Sequence, residues 1–178
     1  MPVTRSLPPL RRVLAVPLAV ALAFGAVGCG DDDDVSQEAA PMDGETCAQP
    51  TDVPDAEGKP EVEMPDELPG ELVIDDIREG DGAAAQLGDT IEVHYVGLSC
   101  STGEQFDASY DRGQSIEFGL VEGGLIEGWT EGIPGMKVGG QRRLVIPADL
   151  AYGENPPPGS GIASGETLVF VIELLGVS

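Results

Sequence analysis

The chain has 178 residues, with 9 lysines and arginines against 32 aspartates and glutamates, and its formal net charge at pH 7 is −23. Because nucleic-acid phosphates repel so acidic a chain, this composition argues against a nucleic-acid-binding protein. Hydrophobic residues make up 41% of the chain and aromatic residues only 4%, and seven of the eight aromatic residues lie after residue 90, so we expect a C-terminal hydrophobic core.

Residues 1–28 have the pattern of a secretory signal. Three arginines precede an apolar run from Val13 to Val27, which is short for a membrane-spanning helix. The run ends in Ala26-Val27-Gly28-Cys29, which resembles the lipobox of bacterial lipoprotein precursors. The resemblance implies cleavage before Cys29, lipidation of its sulfur, and an extracytoplasmic protein anchored to the bacterial cell membrane. The alternative is a secreted or periplasmic protein whose signal ends nearby.

Residues 29–70 have a composition that differs from that of a folded domain. The segment is strongly acidic, contains prolines but no aromatic residue, and has Lys59 as its single cation. Such a composition buries too little apolar surface to offset the entropy lost on ordering. We therefore predict a disordered tether over residues 29–70.

The three cysteines suit an oxidising compartment. If Cys29 carries a lipid, Cys47 and Cys100 remain as an even pair that could form a disulfide. Two unpaired thiols are the alternative, because Cys47 lies in the predicted tether. The cysteines have no metal-ligand spacing and His94 is the single histidine, so we expect no metal site, no cofactor and no Ser-His catalytic pair.

Beyond residue 70, apolar and polar residues alternate, which is typical of half-buried strands. The predicted strands are Leu72–Ile77, Thr90–Val96, Ser115–Leu120, a strand containing Leu144 and Ile146, and a strand from Leu168 to Leu174. Short glycine-containing turns between them predict antiparallel connections. One short helix is predicted over Ile126–Ile133, ended by Pro134-Gly135. The predicted architecture is therefore α+β.

Seven sequence strings in this region resemble a known family. They are Val93-His94-Tyr95-Val96-Gly97, residues 106–112 (FDASYDR), Ile116-Glu117-Phe118, residues 125–132 (LIEGWTEG), Met136-Lys137-Val138-Gly139, Ala151-Tyr152-Gly153 and residues 168–175 (LVFVIELL). In this order and spacing they resemble the FKBP-type peptidyl-prolyl cis-trans isomerases. The resemblance covers residues 71–178, and it implies an antiparallel five- to six-stranded sheet wrapped around one short helix.

The resemblance also implies an active site between the concave face of the sheet and the start of the helix. The matching positions are Tyr95, Phe106, Asp107, Ile116, Phe118, Leu125, Ile126, Trp129, Tyr152 and Phe170, with Ile162 as the apolar contact of a proline-rich loop. Trp129 would form the floor of the pocket, and Tyr95, Phe106 and Phe170 its walls.

Three further roles follow from the same resemblance. The backbone N–H of Ile126 and the hydroxyl of Tyr152 would donate hydrogen bonds to a substrate carbonyl, and Asp107 would be a buried polar contact held by Tyr95 or Arg112. Ile116 stands where the family often has an aromatic residue, which should weaken binding of large macrolide-type ligands. Taken singly, Trp129 would more often be a core residue than a pocket residue, and Asp107 would be interpreted as a turn or cap residue.

The function expected from this resemblance is peptidyl-prolyl isomerisation during the folding of exported proteins. Proline-containing polypeptides would be the substrates, and macrolide-type molecules could inhibit the enzyme. The lipid anchor would attach the protein to the membrane, and we expect a monomer. One alternative is a binding or chaperone module that holds proline-containing segments without turnover. Another is a structural lipoprotein of the cell envelope.

Overall fold

The computed structural model describes residues 46–51 and 53–178. The predicted signal segment, Cys29 and the first part of the predicted tether lie outside the described residues. Among the helices of the described part, none has the length and apolar character needed to cross a membrane.

Six strands form one antiparallel sheet. They are β1 (Val73–Arg78), β2 (Thr90–Ser99), β3 (Gln105–Ala108), β4 (Ile116–Gly119), β5 (Gln141–Ile146) and β6 (Leu168–Val177). Their order in the sheet is β1-β5-β6-β2-β3, and β4 also pairs with β2. One α-helix, α1 (Glu127–Gly132), and two 3-10 turns, Tyr110–Arg112 and Ala148–Leu150, complete the regular structure. The predicted α+β fold with antiparallel connections is confirmed.

Strand β3 is the element that the sequence pattern does not predict. Its four residues are too few for an alternation of apolar and polar side chains to stand out. Its place in the sheet comes instead from pairing with the long strand β2, where Asp107 lies opposite Gly97. This pairing carries Phe106 and Asp107 to the edge of the sheet.

Helix α1 lies close against strand β5. A Cβ atom added at Gly128 would come within 2.4 Å of the Ile146 side chain, so glycine permits the close approach of helix and strand. The guanidinium of Arg142 fixes the other end of the helix, since its Nη1 donates to the carbonyl of Gly132 at 2.6 Å. The same guanidinium binds Asp76 of β1 through Nε at 2.7 Å and Nη2 at 3.0 Å. These hydrogen bonds hold the pKa of Asp76 below its usual value.

The first core lies between one face of the sheet and helix α1. Ile91, Val93 and Tyr95 of β2 contribute to it with alternate side chains, as the sequence pattern predicts. Trp129 and Ile133 contribute from the helix and its end, with 4% and 0% of their surfaces exposed. This core places the first turn of the helix over the centre of the sheet.

A second core covers the opposite face of the sheet. It contains Val96, Leu98, Ala108, Val145, Val169 and Val171 from the strands, together with Cys47, Val62, Met64 and Cys100. The central strands β2, β5 and β6 are therefore buried on both faces. Uninterrupted apolar runs such as Leu168-Val169-Phe170-Val171-Ile172 are the sequence signal for such strands.

In residues 46–51 and 53–70 the structure contradicts the predicted disordered tether. Cys47, Val62 and Met64 are at most 8% exposed, and they supply the cover that the second face of the sheet requires. Arg143 of β5 also binds this segment, through a hydrogen bond from Nη1 to the carbonyl of Glu63 at 2.8 Å. A few well-spaced apolar residues of this segment pack on the second face of the sheet. The average composition of the segment does not reveal this packing.

Cys47 and Cys100 form a disulfide, with their Cα atoms 4.6 Å apart. Cys100 follows the end of β2, and Ala48 reinforces the link by donating its backbone N–H to the Cys100 carbonyl at 2.8 Å. Of the two alternatives left open by the sequence, the structure has the bonded pair. The bond ties the segment before residue 70 to the sheet.

Candidate active site

A cavity of about 640 Å³ opens between the first face of the sheet and the start of helix α1. It is lined by Tyr95, Phe106, Asp107, Phe118, Gly123, Gly124, Leu125, Ile126, Glu127, Trp129, Asp149, Ala151, Tyr152 and Phe170. Nine of the eleven predicted contact residues are among them. The other two, Ile116 and Ile162, are partly buried against the first core and do not line this cavity.

The rings of three aromatic residues meet around Trp129 on the apolar side of the cavity. The centroids of Tyr95 and Phe118 each lie 5.5 Å from that of Trp129, and the centroid of Phe170 lies 5.3 Å away. All three pairs are edge-to-face, which is a favourable aromatic geometry. Trp129 is therefore enclosed on its sides by rings that hold it in place.

The Trp129 indole carries a buried polar atom that has no hydrogen-bond partner in the described part of the chain, Nε1. A buried N–H without a partner costs about 1–3 kcal/mol, so it is uncommon in a purely structural core. Its presence beneath a cavity favours a binding site over simple core packing.

Gly97 leaves room for two of the aromatic rings that line the cavity. It follows Tyr95 on the same face of β2, and a Cβ atom placed there would lie 2.6 Å from Cζ of Phe106 and 2.7 Å from Cε1 of Phe170. The missing side chain lets those two rings meet edge-to-face at 5.5 Å. Gly97 belongs to one of the seven strings, but the sequence gives no reason for a glycine there, because both rings come from other strands.

We predict that Gly97→Ala lowers the free energy of unfolding by about 1–3 kcal/mol, because the added methyl group overpacks a site closed by two aromatic rings. Urea unfolding followed by circular dichroism measures the change. Gly119→Ala is the matched control, since a Cβ atom at this strand glycine meets nothing closer than 3.9 Å. Equal stability of the two variants would contradict the role of Gly97.

A hydrogen-bonded group of three side chains forms the polar edge of the cavity. The Tyr95 hydroxyl donates to Oδ2 of Asp107, and Arg112 donates to Oδ1 of Asp107 at 2.6 Å and to the Tyr95 hydroxyl oxygen at 3.1 Å. Burial and the bond to Asp107 raise the pKa of Tyr95 to about 12, so the phenol stays protonated at neutral pH. Asp107 was expected to be buried, but 42% of its side chain is exposed. It lies at the rim because β3 is an edge strand.

The Tyr152 hydroxyl and the Ile126 backbone N–H, like Nε1 of Trp129, have no hydrogen-bond partner among the described residues. Tyr152 follows the 3-10 turn Ala148–Leu150 and is 37% exposed. Burial, and secondarily the charge of Asp107, raise the pKa of its hydroxyl, which keeps it a donor. Ile126 caps the start of helix α1, where a backbone N–H has no intrahelical acceptor. Both can bind a carbonyl oxygen of a ligand.

Two further acidic residues line the cavity without having been predicted, Glu127 and Asp149. Neither side chain forms a hydrogen bond or ion pair with another described residue. Glu127 lies within one of the seven strings, next to Ile126, and that position is the signal from which it could have been found. Asp149 comes from the 3-10 turn before Tyr152, which only the folded chain brings to the cavity.

Comparison with known proteins places this site in a family context. A family model described as FKBP-type peptidyl-prolyl cis-trans isomerase matches residues 82–175. An FK506-binding protein of Streptomyces anulatus is 56% identical over 120 residues, which are 67% of this chain and 97% of that protein. A probable FK506-binding protein of Corynebacterium glutamicum is 56% identical over 119 residues, 66% of this chain and 97% of that protein.

Solved structures agree with this comparison. The crystal structure of AtFKBP13 superposes with a TM-score of 0.55 at 38% identity, and the match covers 60% of this chain and 93% of that one. The crystal structure of FkpA from Escherichia coli superposes with a TM-score of 0.54 at 44% identity, covering 60% of this chain and 48% of that one.

Proposed function

Because the chain belongs to the FKBP-type peptidyl-prolyl cis-trans isomerases, we propose that its cavity binds the proline of an X-Pro segment and stabilises the twisted form of the amide bond. The observation that carries the proposal is a cavity with an aromatic side around Trp129, where the Tyr152 hydroxyl and the Ile126 N–H have no partner in the described part of the chain. Its substrates would be proline-containing segments of other polypeptides.

The chemistry of the reaction explains why such a cavity suffices. Resonance gives the amide C–N bond partial double-bond character, and rotation about it has a barrier of about 18–20 kcal/mol. Without a catalyst, an X-Pro bond isomerises in tens to hundreds of seconds. No covalent bond forms or breaks, so a catalyst needs only to bind the twisted amide more tightly than the planar one. The twisted amide has lost its resonance charge separation, which makes transfer from water into an apolar cavity less costly.

Each part of the cavity has a proposed role in that binding. The proline ring would pack on Trp129, between Tyr95, Phe106 and Phe170. Phe118 and Leu125 would contact the residues that flank the proline. The Ile126 N–H and the Tyr152 hydroxyl would hold a carbonyl oxygen next to the rotating bond, so that rotation takes place about a fixed end. Asp107 would hold the Tyr95 hydroxyl and thereby orient the ring.

A peptide assay tests the proposal. We expect the folded protein to accelerate cis-to-trans conversion of an X-Pro peptide, read out by a protease that cleaves only the trans form. A macrolide such as FK506 should compete with the peptide, because relatives of this chain are FK506-binding proteins. Macrolide or peptide binding without acceleration would instead favour the non-catalytic binding module, and neither binding nor acceleration would overturn the proposal.

We also propose that the protein acts outside the cytoplasm, as a monomer anchored by lipid on Cys29, and assists the folding of exported proteins. The support is the lipobox-like sequence at residues 26–29 and the disulfide between Cys47 and Cys100, a bond typical of oxidising compartments. Mass spectrometry of the mature N-terminus should find an acylated Cys29. An N-terminus at another residue, or an unmodified Cys29, would overturn the anchor.

A further inference from the structure

Lys59 lies outside residues 82–175, the part of the chain that matches the family model. Its side chain is only 3% exposed, although lysine is seldom buried unless its charge is paired. The ammonium group donates to the Pro54 carbonyl at 2.7 Å, to Oδ1 of Asp111 at 2.9 Å and to Oε1 of Gln105. All three donor positions of Lys59 are therefore used.

The two side-chain partners of Lys59 also bind each other. Nε2 of Gln105 donates to Oδ2 of Asp111 at 2.6 Å, which closes a three-membered network. Burial acts to raise the pKa of Asp111, but hydrogen bonds from Lys59 and Gln105 outweigh it and leave the pKa below its usual value. Asp111 is accordingly ionised at neutral pH and pairs with the lysine.

This network borders the polar edge of the active-site cavity. Gln105 directly precedes Phe106 and Asp107 on β3, and Asp111 directly precedes Arg112. Arg112 in turn binds both Asp107 and the Tyr95 hydroxyl. Lys59 thus joins β3 to the 3-10 turn Tyr110–Arg112 from outside the cavity. Its partner Gln105 is next to Phe106, which lines the cavity, and its partner Asp111 is next to Arg112.

We propose that Lys59 is a positioning residue for the isomerase site, so that the rate of isomerisation depends on the segment before residue 70. The proposal rests on the proposed function, since the positioned groups are Phe106, Asp107 and Arg112. Lys59 contacts no substrate in this arrangement. It fixes the spacing between the strand that carries Phe106 and the turn that carries Arg112.

Substitution of Lys59 by methionine tests this inference, because methionine keeps most of the aliphatic length and removes the charge and all three hydrogen bonds. We expect kcat/KM for an X-Pro peptide to fall on the order of tenfold in K59M, since small displacements of positioning groups have effects of this size or larger. Asp111→Asn should give a similar loss. The double variant should lose little more than either single variant, because the two changes remove one shared interaction.

Arg143→Met is the matched control. Arg143 also holds the segment before residue 70, through the Glu63 carbonyl, and its guanidinium binds Asp75 at 2.7 Å. Among the described residues its guanidinium forms no hydrogen bond or ion pair with β3 or with the turn at residues 110–112. We expect R143M to lose stability and to keep kcat/KM within about twofold of the unmodified chain. Equal losses of activity in K59M and R143M would contradict the inference, because they would show that activity depends on docking of the whole segment and not on Lys59 itself.

Amide NMR shifts provide a readout that is independent of turnover. In K59M the resonances of residues 105–112 should move more than those of the rest of the sheet, whereas in R143M they should stay in place. Wild-type kcat/KM in folded K59M, or unmoved resonances at residues 105–112, would overturn the inference. If the unmodified chain proved inactive, the proposed function would fail, but the resonances would still decide whether Lys59 positions these residues. If K59M did not fold, D111N would be judged by the same two criteria.

Discussion

Replacing Trp129 with alanine should reduce kcat/KM for an X-Pro peptide by between about tenfold and a hundredfold. The ring contact removed from the bound proline is worth about 1.5–3 kcal/mol, and each 1.4 kcal/mol corresponds to a factor of ten. The three rings packed edge-on against Trp129 would also lose their common neighbour. The peptide assay described for the unmodified protein measures the change.

Stability must be separated from activity in this experiment, because Trp129 is also 96% buried and a Trp→Ala change in a core costs about 3–5 kcal/mol. Ile133→Ala is the matched control. Ile133 is fully buried at the end of the same helix but does not line the cavity. The free energy of unfolding of the I133A variant should fall by about 2–5 kcal/mol, while its kcat/KM should stay unchanged. Full activity in folded W129A samples would mean that the Trp129 ring is not the floor of the site.

Loss of the Cys47–Cys100 disulfide should lower the free energy of unfolding by about 4 kcal/mol. The two cysteines are separated by 53 residues, and opening a closed loop of that size increases the entropy of the unfolded chain by this amount in the chain-entropy model. The second core would also lose the fixed start of the segment that covers it. Urea unfolding with and without a reductant measures the difference.

The double variant Cys47→Ala with Cys100→Ala controls for other effects of the reductant. Its stability should equal that of the reduced protein within about 1 kcal/mol and should not respond to reductant. Alkylation and mass spectrometry would verify that both thiols are free in the reduced sample. An unchanged unfolding midpoint after verified reduction would contradict this prediction.

Much of the fold was predictable from local patterns. Alternation in Thr90–Val96 placed Tyr95 on the inner face of a strand, and Pro134-Gly135 limited the helix to a few residues, as observed in α1. These predictions succeed because side-chain alternation and chain-breaking residues act within a few positions of the sequence. Nine of the eleven residues predicted to contact substrate line one cavity, and their contact with substrate stays a prediction.

Other features needed the tertiary structure, and Ile162 is an example. The loop from Gly153 to Glu166 is rich in proline and glycine, so the sequence does not settle which of its residues reaches the cavity, and Ile162 packs on the first core instead. The exposure of Asp107 likewise depends on β3 being an edge strand. Both depend on partners distant in the chain.

The sequence by itself determined an acidic protein with a C-terminal antiparallel domain and an aromatic site, because charge, alternation and motif order are properties of the residues alone. Only the tertiary structure decided that residues 46–51 and 53–70 belong to that domain. Their few apolar side chains pack on residues of the sheet, the disulfide joins Cys47 to Cys100, and the ammonium of Lys59 binds Gln105 and Asp111. Their ordering is favourable only once those partners are assembled, which average composition cannot reveal.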